Sequence, residues 1–197
     1  MDIGLFGGSF DPPHAGHLIV AQDALDHLGL DRVRFVPARI SPFKVEEDDR
    51  GPAAPAELRL EMVRAALADH PAMEVDRAEL DRDGPSYAVD TLRSFRAREP
   101  DVRWTLLIGS DQWASFGRWR EPEAIASLAS IAVMTRSGVE LNDAQGPDLP
   151  HRFVHVTRVD ISSTELRRRV CDGRSIRFFV PEAVRALIES NGLYSTC

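Results

Sequence analysis

The sequence has little cysteine and no long apolar run, and its basic residues are outnumbered by its acidic ones. Its 197 residues contain only Cys171 and Cys197, too few for a framework of disulfide bonds, which is typical of a reducing cytoplasm. No apolar run approaches the roughly 18 residues that a membrane span needs. The net charge of -7 argues against a broad nucleic-acid surface. We therefore expect a cytoplasmic protein that binds neither membranes nor nucleic acid, although an acidic protein can bind polyphosphates where its basic residues converge.

The sequence also lacks the patterns of several enzyme classes. It has no CxxC, HExxH or GxSxG, so zinc, redox and acyl-transfer chemistry have no support. The histidines beyond the N-terminal region show no metal-ligand spacing, and we expect no metal site built by the protein itself. The length fits one domain over residues 1–197, and the composition is compatible with a homo-oligomer.

Strand-like and helix-like segments alternate along the chain. Strands are predicted at residues 3–6, 33–37, 73–75, 104–108, 131–134 and 153–159. Helices are predicted at 17–28, from 55, from 86, at 122–128, at 162–170 and after 181. This alternation predicts an α/β, Rossmann-like, doubly wound fold, with a mostly parallel sheet, helices on both faces and a ligand crevice at the carboxyl ends of the strands. The segment 38–55 is a candidate substrate lid.

The most informative segment is GGSFDPPHAGH, residues 7–17, between the first strand and the first helix. Two adjacent glycines let the backbone approach a phosphate closely. The turn brings His14 and His17 to a helix start, whose unpaired N–H groups favour an anion. The combination predicts a nucleoside-triphosphate site, against the alternative of a structural turn with two capping histidines. The segment's expected ATP contacts are Gly7, Gly8, Ser9, Phe10, His14 and His17.

A second signal is the run of hydroxyl residues Ser162, Ser163 and Thr164 at another predicted helix start, with Arg167 about one turn further on. Hydroxyls beside exposed backbone N–H groups are suited to holding phosphate. Ser162 and Glu165 also fit a capping box, so the alternative is an ordinary helix cap followed by a solvated arginine.

Further candidates follow the predicted strand at 104–108. Gly109 permits a close backbone approach, and Asp111 can accept hydrogen bonds from ribose hydroxyls or act as a simple helix cap. Trp113 and Trp119 lie in the next segment, where a tryptophan can stack on a planar ligand ring. We favour Trp119 over Trp113 for that role.

These motifs resemble those of the HxGH nucleotidylyltransferase superfamily. His14-Ala15-Gly16-His17 matches HxGH, and Ile161–Arg167 is similar to ISSTxIR, with leucine at 166 in place of isoleucine. The longer form GGSFDPPHxGH resembles the bacterial nicotinate-nucleotide adenylyltransferases, and the resemblance extends from Ile3 to Tyr194.

The resemblance implies transfer of an adenylyl group from ATP to nicotinate mononucleotide, giving deamido-NAD and pyrophosphate in NAD biosynthesis. It implies that His14, His17 and Arg167 stabilise the phosphates at the reacting centre, while Ser163 and Thr164 hold the tail. Mg²⁺ would accompany the phosphates.

The resemblance also implies the residues that bind the second substrate. SYAVDT, from Ser86, resembles the family's SYTxDT helix start, where N–H groups suit a carboxylate. Trp119 corresponds to the tryptophan that stacks on the nicotinate ring. Ala88 and Phe43 depart from the usual threonine and histidine. The expected substrate contacts are Lys44, Ser86, Tyr87, Ala88, Gly109, Asp111, Trp119 and Arg136.

Three alternatives remain at this point. The same HxGH signature occurs in phosphopantetheine adenylyltransferases, and nicotinamide mononucleotide is a close analogue of the nicotinate form. An ATP-binding regulator without turnover would also carry a nucleotide site. The SYAVDT helix and Trp119 argue against phosphopantetheine, because its aliphatic arm has no ring to stack.

Overall fold

A parallel sheet forms the centre of the protein in the computed structural model, which describes residues 1–42, 53–136 and 146–196. Its strands are β1 (Asp2–Gly8), β2 (Arg32–Pro37), β3 (Met73–Val75), β4 (Arg103–Gly109), β5 (Ser130–Arg136) and β6 (Arg152–Val156). Their order is β3-β2-β1-β4-β5-β6, and every neighbouring pair is parallel. This is the Rossmann order, which reverses direction between β1 and β4. The predicted fold class is confirmed.

Helices cover both faces of this sheet. They are α1 (Ala15–Leu28), α2 (Ala56–Leu67), α3 (Ala88–Arg98), α4 (Ser110–Ala114), α5 (Pro122–Leu128), α6 (Ser163–Cys171) and α7 (Glu182–Ser190), with a 3₁₀ turn at Phe116–Arg118. In β4, Leu106 and Ile108 pack under α3 and α5, whereas Leu107 packs under α1 and α2. Burial on both faces explains the continuous apolar run that predicted this strand. None of the described helices is long and apolar enough to cross a membrane.

A third, smaller core joins the C-terminal helices to α2. Met62 of α2 packs with Leu166 of α6 and with Val184 and Ile188 of α7. The start of α6 is thereby placed beside the loop that follows β1. This packing brings the two strongest sequence motifs to the same edge of the sheet.

Two predicted helix caps need correction. Ser86 does not cap α3, because the helix begins after Tyr87 and the Ser86 hydroxyl accepts a hydrogen bond from the backbone N–H of Arg39 at 3.0 Å. Ser162 does cap α6, accepting from the backbone N–H of Glu165 at 3.2 Å. The Glu165 carboxylate pairs with Arg168 at 2.9 Å, and this pairing replaces the return contact of a capping box.

One of the two cysteines falls within the described residues. Cys171, the last residue of α6, is disulfide-bonded, and Cys197 lies outside the described residues. A count of two excludes a framework of disulfides but not a single bond.

Candidate active site

A cavity of about 440 Å³ opens at the carboxyl ends of β1 and β4, where the strand order reverses. This volume lies within the roughly 300–1,000 Å³ typical of small-molecule sites. Seven residues expected from the sequence line it: Gly7, Gly8, Ser9, Ser86, Tyr87, Ala88 and Trp119. The strand ends thus bring the glycine turn, the start of α3 and a tryptophan to one crevice, as the fold predicts.

The two motif histidines form a stacked pair at the start of α1, and they are not among the residues that line this cavity. Their ring centroids lie 3.7 Å apart with an interplanar angle of 26°. His17 Nδ1 accepts from the backbone N–H of His14 at 3.2 Å, so the neutral His17 ring carries its proton on Nε2. The Nδ1 atom of His14 is buried and has no hydrogen-bond partner within the described structure. The pair therefore retains hydrogen-bonding capacity that the fold does not use.

Gly16, the glycine between the histidines, is required by close packing. A Cβ at this position would lie 3.0 Å from Nδ1 of His14 and 3.4 Å from a methyl group of Val159. A residue with a Cβ would therefore require the His14 ring to shift by a few tenths of an ångström. The spacing HxGH thus encodes the arrangement of the imidazoles.

Burial keeps both imidazoles neutral in the free site. It lowers the pKa of His14 to about 4, and it lowers the pKa of His17 well below the ordinary value, with the charge of His14 adding to the effect. An anion placed against the rings would favour their protonated forms. The pair is therefore suited to a ligand that brings its own negative charge.

The start of α6 lies against the loop that leads into α1. The Arg167 guanidinium donates from Nη1 to the backbone carbonyl of Asp11 at 2.8 Å, and Ser163 Oγ donates to the carbonyl of Pro12 at 2.9 Å. Thr164 Oγ1 accepts from Arg167 Nη2 at 3.3 Å. Two motifs separated by about 150 residues thus meet through these contacts.

Phe10 is placed differently from the ligand contacts around it. Its side chain is buried and packs edge-on against Phe6 and His17, with ring centroids 5.7 and 5.1 Å apart. Any contact between Phe10 and ATP would therefore come from its backbone. The ring's visible role is to support His17 from below.

The aromatic end of the cavity distinguishes the two tryptophans. Trp113 is buried in the core, whereas Trp119 is half-buried, lines the cavity and packs on Phe116 at a centroid distance of 4.9 Å. The neighbouring Arg120 guanidinium lies 4.8 Å from the ring centroid of Tyr87. Of the two tryptophans, only Trp119 is among the residues that line the cavity, and its stacking on a ligand stays a prediction.

Backbone amides at the start of α3 face the same region. The N–H of Ser86 donates to the carbonyl of Ile40 at 2.9 Å, and the first N–H groups that donate to the cap carbonyl belong to Asp90 and Thr91. Within the described parts of the chain, the N–H groups of residues 87–89 have no acceptor. A helix start with three such donors favours an anionic group.

Glu79 is a cavity residue that sequence reasoning missed. Its buried carboxylate accepts from Thr91 Oγ1 at 2.6 Å, and burial raises the pKa of the group although the Thr91 hydrogen bond opposes this. Glu79 lies in an irregular segment before α3, with no periodic pattern and no motif around it. No signal in the sequence marks it out from the other surface acids.

Gly109 and Asp111 lie beside the cavity but do not line it, unlike their neighbours Ile108 and Gln112. A Cβ on Gly109 would lie 2.5 Å from Oδ1 of Asp111, so glycine lets this carboxylate fold back over the strand end. Arg136 is the last residue of β5. The predictions for Lys44 and Phe43, and for most of the lid at 38–55, fall outside the described residues.

Known proteins resemble this chain in sequence over most of its length. A family model described as cytidylyltransferase-like matches residues 5–169. The chain belongs to the cytidylyltransferase-like family. A relative from Thermus thermophilus, named probable nicotinate-nucleotide adenylyltransferase, is 47% identical over 98% of this chain and 100% of its own length. A relative of the same name from Rubrobacter xylanophilus is 40% identical over 98% of this chain and 92% of its own length. The predicted family is confirmed.

Solved structures share the fold of this cytidylyltransferase-like chain. A Plasmodium falciparum nicotinic acid mononucleotide adenylyltransferase complexed with NaAD matches with a TM-score of 0.78 and 17% identity, over 100% of this chain and 98% of the other. The same enzyme complexed with APC matches with a TM-score of 0.74 and 17% identity, with the same coverage. At this identity the likeness establishes the common fold alone.

Proposed function

We propose that this protein is a nicotinate-nucleotide adenylyltransferase, which transfers the adenylyl group of ATP to nicotinate mononucleotide and releases pyrophosphate and deamido-NAD. The observation that carries the proposal is that two chemically different groups of residues lie at the same edge of the sheet. One end has the stacked imidazoles and Arg167, and the other has Trp119 beside the free amides of α3. The names of the full-length relatives support the same activity.

The reaction needs positioning more than proton transfer. An oxygen of the mononucleotide 5′-phosphate attacks the α-phosphorus of ATP, and the bond from that phosphorus to the pyrophosphate oxygen breaks. The attacking phosphate is already anionic at neutral pH, so no general base is required. The protein has to align the two phosphates and stabilise charge as pyrophosphate departs.

His14, His17 and Arg167 are the groups that we assign to this charge. The His17 ring offers an N–H donor at Nε2, and Arg167 remains a permanent cation whose side chain is one-quarter exposed. The negative triphosphate would raise the pKa of the imidazoles toward their ordinary range, so bound ATP itself strengthens the site. Ser163 and Thr164 at the start of α6 would hold the phosphate tail.

Magnesium belongs to this scheme as part of the substrate. Among the described residues, no group of three or more His, Cys, Asp or Glu could hold a metal ion. The carboxylate of Asp11 is already used by hydrogen bonds from Ala53, Ala54 and Tyr194. Mg²⁺ prefers phosphate oxygens and water, so it would enter on ATP without a protein cage.

The pyridine end would recognise nicotinate through its ring and its carboxylate. Trp119 lines the cavity and would stack on the ring, and the N–H groups of residues 87–89 would donate to the carboxylate. Because the proposed donors are backbone groups, alanine at position 88 removes none of them. The absent threonine hydroxyl is therefore compatible with nicotinate binding.

Pyrophosphate release with ATP and Mg²⁺ tests the proposal when three acceptors are compared. We expect strong preference for nicotinate mononucleotide over nicotinamide mononucleotide, and no turnover with phosphopantetheine. Equal use of the two mononucleotides would overturn the carboxylate site. Turnover with phosphopantetheine alone would overturn the substrate assignment, and ATP binding without any turnover would indicate a regulator.

A further inference from the structure

Asp11 anchors the loop before His14 through contacts that the proposed chemistry does not use. Its side chain is 1% exposed. The carboxylate accepts from the backbone N–H groups of Ala53 and Ala54 at 2.6 and 3.1 Å, and from the hydroxyl of Tyr194 at 2.6 Å. A residue three positions before a phosphate-binding histidine is thus tied to the entrance of α2 and to the C-terminal turn.

The backbone of Asp11 is tied to Arg167 as well. Its carbonyl accepts from Arg167 Nη1 at 2.8 Å, and its carboxylate lies 4.0 Å from the same guanidinium. Because His14 follows in the same short loop, the position of Asp11 sets the distance between the imidazole pair and the arginine. A small shift of this loop would misalign groups that must hold one phosphate chain.

Charge and hydrogen bonding below the loop favour a fixed arrangement. A buried carboxylate is costly unless it is paired and fully hydrogen-bonded. The buried Arg59 supplies a nearby positive charge and donates from Nη1 to the carbonyls of Ser9 and Ala38 at 2.8 and 2.7 Å. Hydrogen bonds from Arg59 therefore hold the loop in addition to those that Asp11 makes.

Tyr194 has a strained backbone conformation, and its hydroxyl bonds to Asp11. Its φ of 61° lies in the left-handed region, which aromatic residues rarely adopt. Burial and the Asp11 charge raise the pKa of the hydroxyl, so it remains protonated and donates. Its hydroxyl is the one side-chain donor in the described structure that closes onto the Asp11 carboxylate at hydrogen-bond distance.

We propose that Tyr194 is a positioning residue for the triphosphate end of the site, acting through the Asp11 carboxylate. The hydrogen bond between them holds the loop where His14 and Arg167 can contact the same phosphate chain. Tyr194 touches no substrate in this scheme. The proposal rests on the proposed function only in its assumption that ATP binds at this end.

Tyr194→Phe removes the hydroxyl and keeps the ring. We expect the affinity for a non-hydrolysable ATP analogue with Mg²⁺, measured by calorimetry, to fall about tenfold. The KM for nicotinate mononucleotide should change less than twofold. In the free protein, the imidazole ¹⁵N signals of His14 and His17 should shift, because the loop that carries them relaxes.

Ile188→Val is the matched control for a loss of stability in the C-terminal region. It removes one buried methyl group from the core of α7 and leaves the Tyr194 hydroxyl on Asp11. We expect a lower Tm with unchanged affinity for the ATP analogue and unchanged histidine signals. Equal losses of analogue affinity in Ile188→Val and Tyr194→Phe would overturn the positioning role.

A double-mutant cycle tests whether Tyr194 acts through Asp11. Asp11→Asn should weaken analogue binding at least as much as Tyr194→Phe, and the double variant should resemble Asp11→Asn alone. Additive losses would overturn the coupling. If wild type binds the analogue and Tyr194→Phe binds it equally well, only the positioning role fails. If wild type does not bind it, the ATP site of the proposed function fails, and the positioning role fails with it.

Discussion

In the proposed scheme, side chains carry the chemistry at the triphosphate end of the site, whereas the backbone carries much of it at the pyridine end. His14, His17 and Arg167 converge from two helices onto one loop, and their contacts are fixed by charged and hydrogen-bonded neighbours. The other end offers the N–H groups of residues 87–89 and the ring of Trp119. The two ends therefore tolerate substitution differently.

This difference accounts for one of the two departures from the motifs that the chain resembles, the alanine at position 88. Where an imidazole or guanidinium supplies the interaction, only that residue type will serve, and the motif is kept intact. Where an amide supplies it, the chain must keep its conformation but not its side chain. Ala88 in place of threonine is a change of the second kind. The comparison predicts that mutations at one end leave substrate binding at the other end unaffected.

His17→Ala should have the largest effect, because in the proposed mechanism it removes an N–H donor from the reacting phosphates. We expect kcat to fall by ~10²-fold or more, equivalent to roughly 3 kcal/mol of transition-state stabilisation. The KM for nicotinate mononucleotide should stay within about twofold. Steady-state pyrophosphate release with each substrate varied in turn measures both quantities. An unchanged kcat in a folded variant would contradict the role of His17.

Acid should lower the stability of the free protein through His14. Its pKa is about 4 in the folded protein, below the ordinary value of 6.5, so the unfolded chain binds a proton that the folded chain resists. The free energy of unfolding should therefore fall as the pH drops from 6.5 toward 4.

The pH effect is isolated by comparing wild type with His14→Gln. Between pH 7 and 4.5, wild type should lose about 2 kcal/mol more stability than the variant, measured by urea unfolding. Parallel losses in the two proteins would show that the His14 ring is not held neutral by burial. ATP with Mg²⁺ should reduce the difference by favouring the charged ring.

Trp119→Ala sharpens the comparison from the pyridine end. Loss of ring stacking, worth about 1–3 kcal/mol per base in related cases, should raise the KM for nicotinate mononucleotide by at least ~5-fold. The KM for ATP should not change. Trp119→Phe keeps an aromatic face and should recover most of the affinity. A rise in the KM for ATP instead would show that Trp119 contacts ATP and not nicotinate mononucleotide.

Much of the fold could be predicted because periodicity and strand burial are local properties. The run at 104–108 is apolar apart from Thr105 because β4 is buried on both faces, and the alternation of strands and helices then determines a parallel sheet. The histidine pair could also be predicted from the sequence, because the glycine that packs against His14 is part of the same short motif. The site residues with specific side-chain chemistry are therefore those that a motif reveals.

The residues that were missed depend on contacts between distant segments. In the sequence, Arg59 resembles any surface arginine of a helix. In the structure it is buried and donates to the backbone carbonyl of Ser9. Ser86 looked like a helix cap, but its hydroxyl is taken by Arg39, 47 positions away. Such hydrogen bonds leave no periodic signal, because they arise only once the sheet order is set.

Ala88→Pro should have the smallest effect and the most specific one. Position 88 is the first residue of α3, where proline is well tolerated, and Tyr87 before it is already extended at φ -86° and ψ 127°. The substitution removes one N–H donor and preserves the helix. We expect about a fivefold higher KM for nicotinate mononucleotide. Ala88→Thr, which keeps the amide, should change this KM less than twofold.

The most direct test of the division between the two ends is the ratio of kcat/KM for nicotinate and nicotinamide mononucleotides in wild type, Ala88→Pro and Ala88→Thr. If backbone amides at α3 recognise the carboxylate, proline lowers the preference for nicotinate, threonine leaves it intact, and the KM for ATP is constant throughout. An unchanged preference in the proline variant, or a preference that follows the threonine hydroxyl, would contradict the account.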